Sequence, residues 1–143
     1  MKNISKYVLS VFFLVFSLLL FAAPEGYTIK FHVKGLSDTA CMLVNYYGNG
    51  TYVKDTLKVD KNGRFSYKAP ADLPKGMYLI VITDKNYFEF IINNDHKFSL
   101  ETEKTALQDK MVISGSPENQ LFYNYLEFNK AAYEELKSAG KEI

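Results

Sequence analysis

One cysteine, two histidines and a short acidic turn are the residues from which chemistry could start. Cys41 is the sole cysteine, so no intrachain disulfide can form. It lies in the apolar run Ala40-Cys41-Met42-Leu43-Val44, without the nearby resolving cysteine or electropositive setting that a redox thiol needs. It reads as a small buried hydrophobe, and nothing else in the sequence supports an enzyme using Cys41 alone. His32 falls on the polar side of an alternating run, between Lys30 and Lys34, where positive charge opposes a metal cation. His96 lies in a turn far along the chain, and no spacing joins it to His32, so both read as structural. Asp60-Lys61-Asn62-Gly63 resembles the start of a calcium loop, but in that register the first ligand position is Lys58 and the twelfth is Ala69. With those two anions missing it is a β-turn. Asn49-Gly50-Thr51 matches a glycosylation triplet, yet Asn-Gly between aromatic-rich strands is a stronger hairpin signal. No Ser/His/Asp order, glycine-rich phosphate loop or paired carboxylate occurs. No catalytic residue, cofactor or metal site is therefore expected.

The elements that would position any site are strands. Gly76 to Asn93 holds two β-branched and aromatic runs, Met77 to Ile82 and Tyr87 to Ile92, joined by Thr83-Asp84-Lys85-Asn86, and predicts an antiparallel hairpin. The first run shows almost no polar alternation, which places it inside a sheet with cover on both faces. Tyr27 to Lys34 alternates, with Tyr27, Ile29, Phe31 and Val33 on one face. Ala40–Tyr47, Thr51–Val59, Arg64–Lys68, Lys97–Thr102 and Lys110–Ile113 complete the series. The fold class expected is mainly β: an antiparallel sandwich or barrel-like domain of about seven to eight strands, followed by one amphipathic helix.

Composition agrees with a single globular domain, at 143 residues, 48% hydrophobic and 23% charged. Lys2 and Lys6 precede the apolar run Val8–Phe21, too short to span a bilayer comfortably, and Ala22-Ala23-Pro24 follows. This is the pattern of a signal peptide over 1–22, cleaved after Ala22. Export to the periplasm or cell envelope follows, and membrane contact is expected only if that segment stays uncleaved. Of the 17 basic residues two lie in the leader, leaving 15 against 16 acidic ones. So balanced a surface gives no electrostatic case for nucleic acid.

At Gly115 the pattern changes. Ser116 suits an N-cap, Pro117 the first helical position, and Glu118 the first turn. In the helix that follows, Leu121, Phe122, Tyr125, Leu126, Phe128, Asn129, Ala132, Tyr133 and Leu136 share a face about 160° wide. It should cover part of the sheet and leave apolar surface for a partner, with Phe122, Tyr125, Phe128 and Tyr133 the candidate docking residues and self-association the expected result when that partner is absent.

The strand series, Asp60-Lys61-Asn62-Gly63-Arg64-Phe65, Phe90-Ile91-Ile92-Asn93-Asn94 and Gly115-Ser116-Pro117-Glu118-Asn119 together resemble an uncharacterised β-rich N-terminal domain. In Gram-negative envelope proteins that domain precedes thioredoxin-like modules of the alkyl hydroperoxide reductase and thiol-specific antioxidant type. The resemblance implies a β domain over 23–115, a helix over 116–143 connecting to a module absent from this chain, and an envelope location. Its redox Cys-x-x-Cys has no matching positions here, so no functional residue carries over. The reading is a non-catalytic exported accessory domain that positions a thioredoxin-like module or another envelope protein. The alternative is a free-standing ligand- or protein-binding β domain using Tyr46, Tyr47, Tyr52 and Tyr67, although strand-like spacing and the lack of tryptophan favour core filling.

Overall fold

The computed structural model describes residues 25–83 and 86–140. The leader read over 1–22, Asp84 and Lys85 of the central hairpin, and residues 141–143 lie outside them. Described in chain order are β1 (Tyr27–Lys34), β2 (Thr39–Tyr47), β3 (Gly50–Val59), β4 (Arg64–Ala69), β5 (Gly76–Thr83), β6 (Asn86–Ile92), β7 (Lys97–Glu103), β8 (Val112–Ser114) and α1 (Pro117–Ser138). Two four-stranded sheets form, ordered β4-β1-β7-β8 and β3-β2-β5-β6, and they pack face to face as a sandwich. Alternation explains the core. Tyr27, Ile29, Phe31 and Val33 of β1 turn inward with Leu43, Tyr78, Ile80, Phe88, Phe90, Phe98 and Leu100. Phe31 is the hub, stacked on Phe65 at 4.9 Å and edge-on to Phe90 at 5.4 Å.

β5 lies inside its sheet, between β2 and β6, as its near-continuous apolar run requires. Its outward face is bridged: Leu79 pairs with Val44 on one side and Glu89 on the other, and Tyr46 donates to Glu89 across it at 3.0 Å. Three details differ from the sequence reading. β1 and β7 pair in parallel, so the sandwich is mostly rather than wholly antiparallel. The last strand is Val112–Ser114, because Lys110 and Met111 are drawn into a turn by hydrogen bonds to the carbonyls of Ala106 and Gln108. The β2–β3 turn is Gly48-Asn49, since Tyr47 already pairs with Gly50 and Gly48 takes φ 58°, the glycine-first arrangement of a two-residue hairpin.

The sandwich has two sides. On one, β3 passes directly to β4 through the Asp60–Gly63 turn, where Asp60 Oδ1 accepts from the Asn62 and Arg64 amides at 2.8 and 2.9 Å. On the other, the edges of β6 and β8 would be open, and α1 touches both. An edge such as Tyr87-Phe88-Glu89-Phe90-Ile91 invites pairing with another chain unless something covers it.

On β1's polar face His32 finds an acidic partner in Glu101 of β7 at 2.9 Å, and Lys34 meets the same carboxylate at 2.7 Å. The hydrogen bond from Lys34, then that from His32, pull the Glu101 pKa down to about 2. A carboxylate whose folded pKa is depressed adds stability above its unfolded value and loses it as pH falls through the folded one. Glu101→Gln should therefore flatten the loss of stability between about pH 4.5 and pH 2 in acid denaturation followed by circular dichroism.

Candidate functional site

The helix is held by its first two turns. Ser116 caps it in extended conformation and accepts from the Asn119 amide at 3.4 Å, with Pro117 behind it. Asn119 is wholly buried. Its Oδ1 accepts from the Ile91 amide at 2.7 Å, and its Nδ2 donates to the Ile91 carbonyl at 2.8 Å and to Ser116 Oγ at 2.9 Å. One side-chain amide thus pairs with β6 as a neighbouring strand would. One turn later the Tyr123 hydroxyl donates to the Glu89 carbonyl at 2.9 Å, two residues along the same edge. Asn93 donates to Glu118 and Ser116 to Asp95, both at 2.7 Å. The two sequence stretches Phe90–Asn94 and Gly115–Asn119 are the two halves of one joint.

Asn119 and Tyr123 are the buried residues of α1, and neither belongs to the apolar stripe read from the sequence. The expectation that this stripe covers part of the sheet is therefore overturned: the contact with β6 is made by Asn119 and Tyr123. The polar pair one turn apart makes the bonds to β6, and at about 100° per residue it points away from Leu121, Tyr125 and Phe128. Those side chains stay in solvent: Leu121 and Phe128 are each 69% exposed and Tyr125 61%, with Tyr133 and Leu136 also exposed. Phe122 is half-buried, its ring edge-on to Tyr123 at 5.4 Å. Farther along, Lys130 reaches Asp109 in the β7–β8 connection at 2.7 Å, which steadies the middle of the helix without covering the stripe. Of the four candidate docking residues, then, Tyr125, Phe128 and Tyr133 form one open face and Phe122 lies at its inner margin.

The other candidates disperse. Cys41 is buried in the core, and burial pushes its thiol up to about 11, where little thiolate forms at neutral pH. Ellman's reagent at pH 8 should leave the native thiol unmodified and react fully once the chain is unfolded. Tyr67 packs half-buried against the core. Tyr46 faces outward with Glu89. Tyr47 and Tyr52 remain exposed together, their rings edge-to-face at 6.3 Å. His96 stacks on Tyr27 at 4.3 Å. Among the described residues no cluster of three or more His, Cys, Asp or Glu could hold a metal, and no helix is long and apolar enough to cross a membrane.

The model of a family described as a domain of unknown function, DUF4369, matches residues 27–122, which takes in all eight described strands and the joint but ends before Tyr125. No curated protein and no solved structure matches the chain.

Proposed function

The chain belongs to the DUF4369 family, and for this member we propose a non-catalytic, exported accessory domain whose C-terminal helix docks a thioredoxin-like module. The observation that supports this reading is the division of labour on α1: Asn119 and Tyr123 fix it to β6, and the stripe through Leu121, Tyr125 and Phe128 faces away. Area narrows the occupant. Large side chains each offer on the order of 150–250 Å², so the exposed part of the five stripe residues amounts to roughly 500 Å². A free-standing complex buries about 800 Å² per partner, whereas neighbouring domains of one assembly meet over about half to all of that. A module held beside the helix suits the stripe better than an independent dimer does.

Without its partner the chain should pair weakly and only at high concentration, because burying one such side chain contributes roughly 1.5 to 3 kcal/mol. In sedimentation experiments Phe128→Glu and Tyr133→Glu should be monomeric while keeping the wild-type melting midpoint. A monomeric wild type together with variants that unfold the whole domain would make the helix part of the core and end the docking proposal. A second reading, ligand binding by surface tyrosines, has its own observation in the paired rings of Tyr47 and Tyr52.

A further inference from the structure

Beside the β2–β3 turn a cavity of about 330 Å³ is lined by Asn45, Tyr47, Tyr52, Val53, Lys54 and Pro74. Three independent features converge on it. The first is a buried polar group without a partner: Asn45 is 5% exposed, and its Oδ1 makes no hydrogen bond to any described residue. Folded chains rarely leave such a group unmet. Asn45 follows Cys41 and Leu43, the two buried apolar residues on the inward face of β2, so packing alone gives no reason for an amide there.

The second is a bulge. Leu43 pairs with Asp55 and Val44 with Val53, which leaves Lys54 as the extra residue of β3. An unbroken ladder would turn Val53 to the inner face. The bulge turns Tyr52 there instead, opposite Asn45, and re-aiming a side chain is a common use of such an irregularity. The third is the aromatic corner. Tyr47, two residues beyond Asn45 on the same face, is 75% exposed, Tyr52 is 55% exposed, and their rings meet at 73°.

We infer that this corner binds a neutral pyranose ring. The chemistry selects that class. An unmet carbonyl oxygen needs a donor, which an inorganic anion at neutral pH scarcely offers, while Lys54 and the absence of any lining carboxylate oppose a cation. A ligand with an apolar face for the tyrosine rings and hydroxyls that both donate and accept meets all the groups present, because a side-chain amide can present either end. The volume lies at the small end of ligand cavities, which suits one ring. This site deepens the ligand-binding reading and stands apart from the helix stripe, so the two stand or fall separately.

Saturation-transfer NMR on the purified chain tests it, with methyl β-glucoside, methyl β-galactoside and methyl N-acetyl-β-glucosaminide as probes and acetyl-alanyl-alanine amide as a peptide comparison. Transfer is expected from the axial ring protons of at least one glycoside. It should vanish in Tyr52→Ala and persist in Tyr46→Ala, whose side chain lies on the opposite face. Asn45→Leu should bind about tenfold more weakly, the worth of one hydrogen bond, while its melting midpoint rises. No transfer from any glycoside, transfer that survives Tyr52→Ala, transfer from the peptide alone, or a stabilised Asn45→Leu that binds like wild type would each overturn the assignment.

Discussion

Asn119→Ala should cost about 3 kcal/mol of stability and lower the melting midpoint by roughly 10 °C, although it deletes a polar side chain from a helix that otherwise reads as amphipathic. The reason lies on the partner strand. Asn119 satisfies both backbone groups of Ile91 and one turn of its own cap, and a buried donor or acceptor left unmet costs about 1–3 kcal/mol. Amide exchange at Ile91 should accelerate more than exchange in the β1 core. The exposed β6 edge should make the variant aggregate, since an uncovered apolar edge is a template for further strands. Tyr123→Phe, which removes one hydroxyl and keeps the ring, should cost about 1 kcal/mol. Equal losses in the two variants would mean that the helix is held by apolar packing and not by this pairing.

At the opposite side of the sandwich Gly63→Val should be comparably severe, on the order of 3–5 kcal/mol. Gly63 closes the Asp60–Gly63 turn at φ 76°, a conformation that carries a penalty of about 1–2 kcal/mol for a residue with a Cβ. A Cβ built there would lie 2.2 Å from the Val33 carbonyl oxygen and 2.8 Å from that of Leu36. Both neighbours are backbone, so no side chain can swing aside. The Gly63 carbonyl also accepts from the Val33 amide at 2.8 Å, and a displaced turn would break this link between β1 and the β3–β4 connection. Urea denaturation of Gly63→Ala and Gly63→Val gives the measurement. A loss below 1 kcal/mol in both would show that the turn relaxes without disturbing β1.

Local signals in this chain were legible and distant pairings were not. The alternation of Tyr27–Lys34 disclosed its buried face, and Ser116-Pro117-Glu118 disclosed the helix start, because each depends on residues within a few positions. The parallel pairing of β1 with β7 joins residues some seventy positions apart, for which no short-range pattern exists. Sorting helix residues by hydrophobicity selects a stripe that the fold leaves largely in solvent, with Phe122 and Leu126 half-buried at its margin. It missed Asn119 and Tyr123, whose burial rests on hydrogen bonds to a strand edge. The signal available was their spacing: an amide and a phenol one turn apart sit on one face and offer polar atoms to a neighbour. Asn45 was hidden in the same way, as the single amide in an inward series whose neighbour on β3 is set by a bulge.

What meets the open face of α1 is measured most directly by photo-cross-linking in the cells that make the protein, with benzoylphenylalanine in place of Phe128 and, as a control, in place of Lys30 on the polar face of β1. The docking proposal predicts a specific adduct at position 128 with a protein or segment bearing a thioredoxin-like Cys-x-x-Cys module, and no such adduct at position 30. The absence of any protein adduct at 128, or the same adducts at both positions, would contradict it.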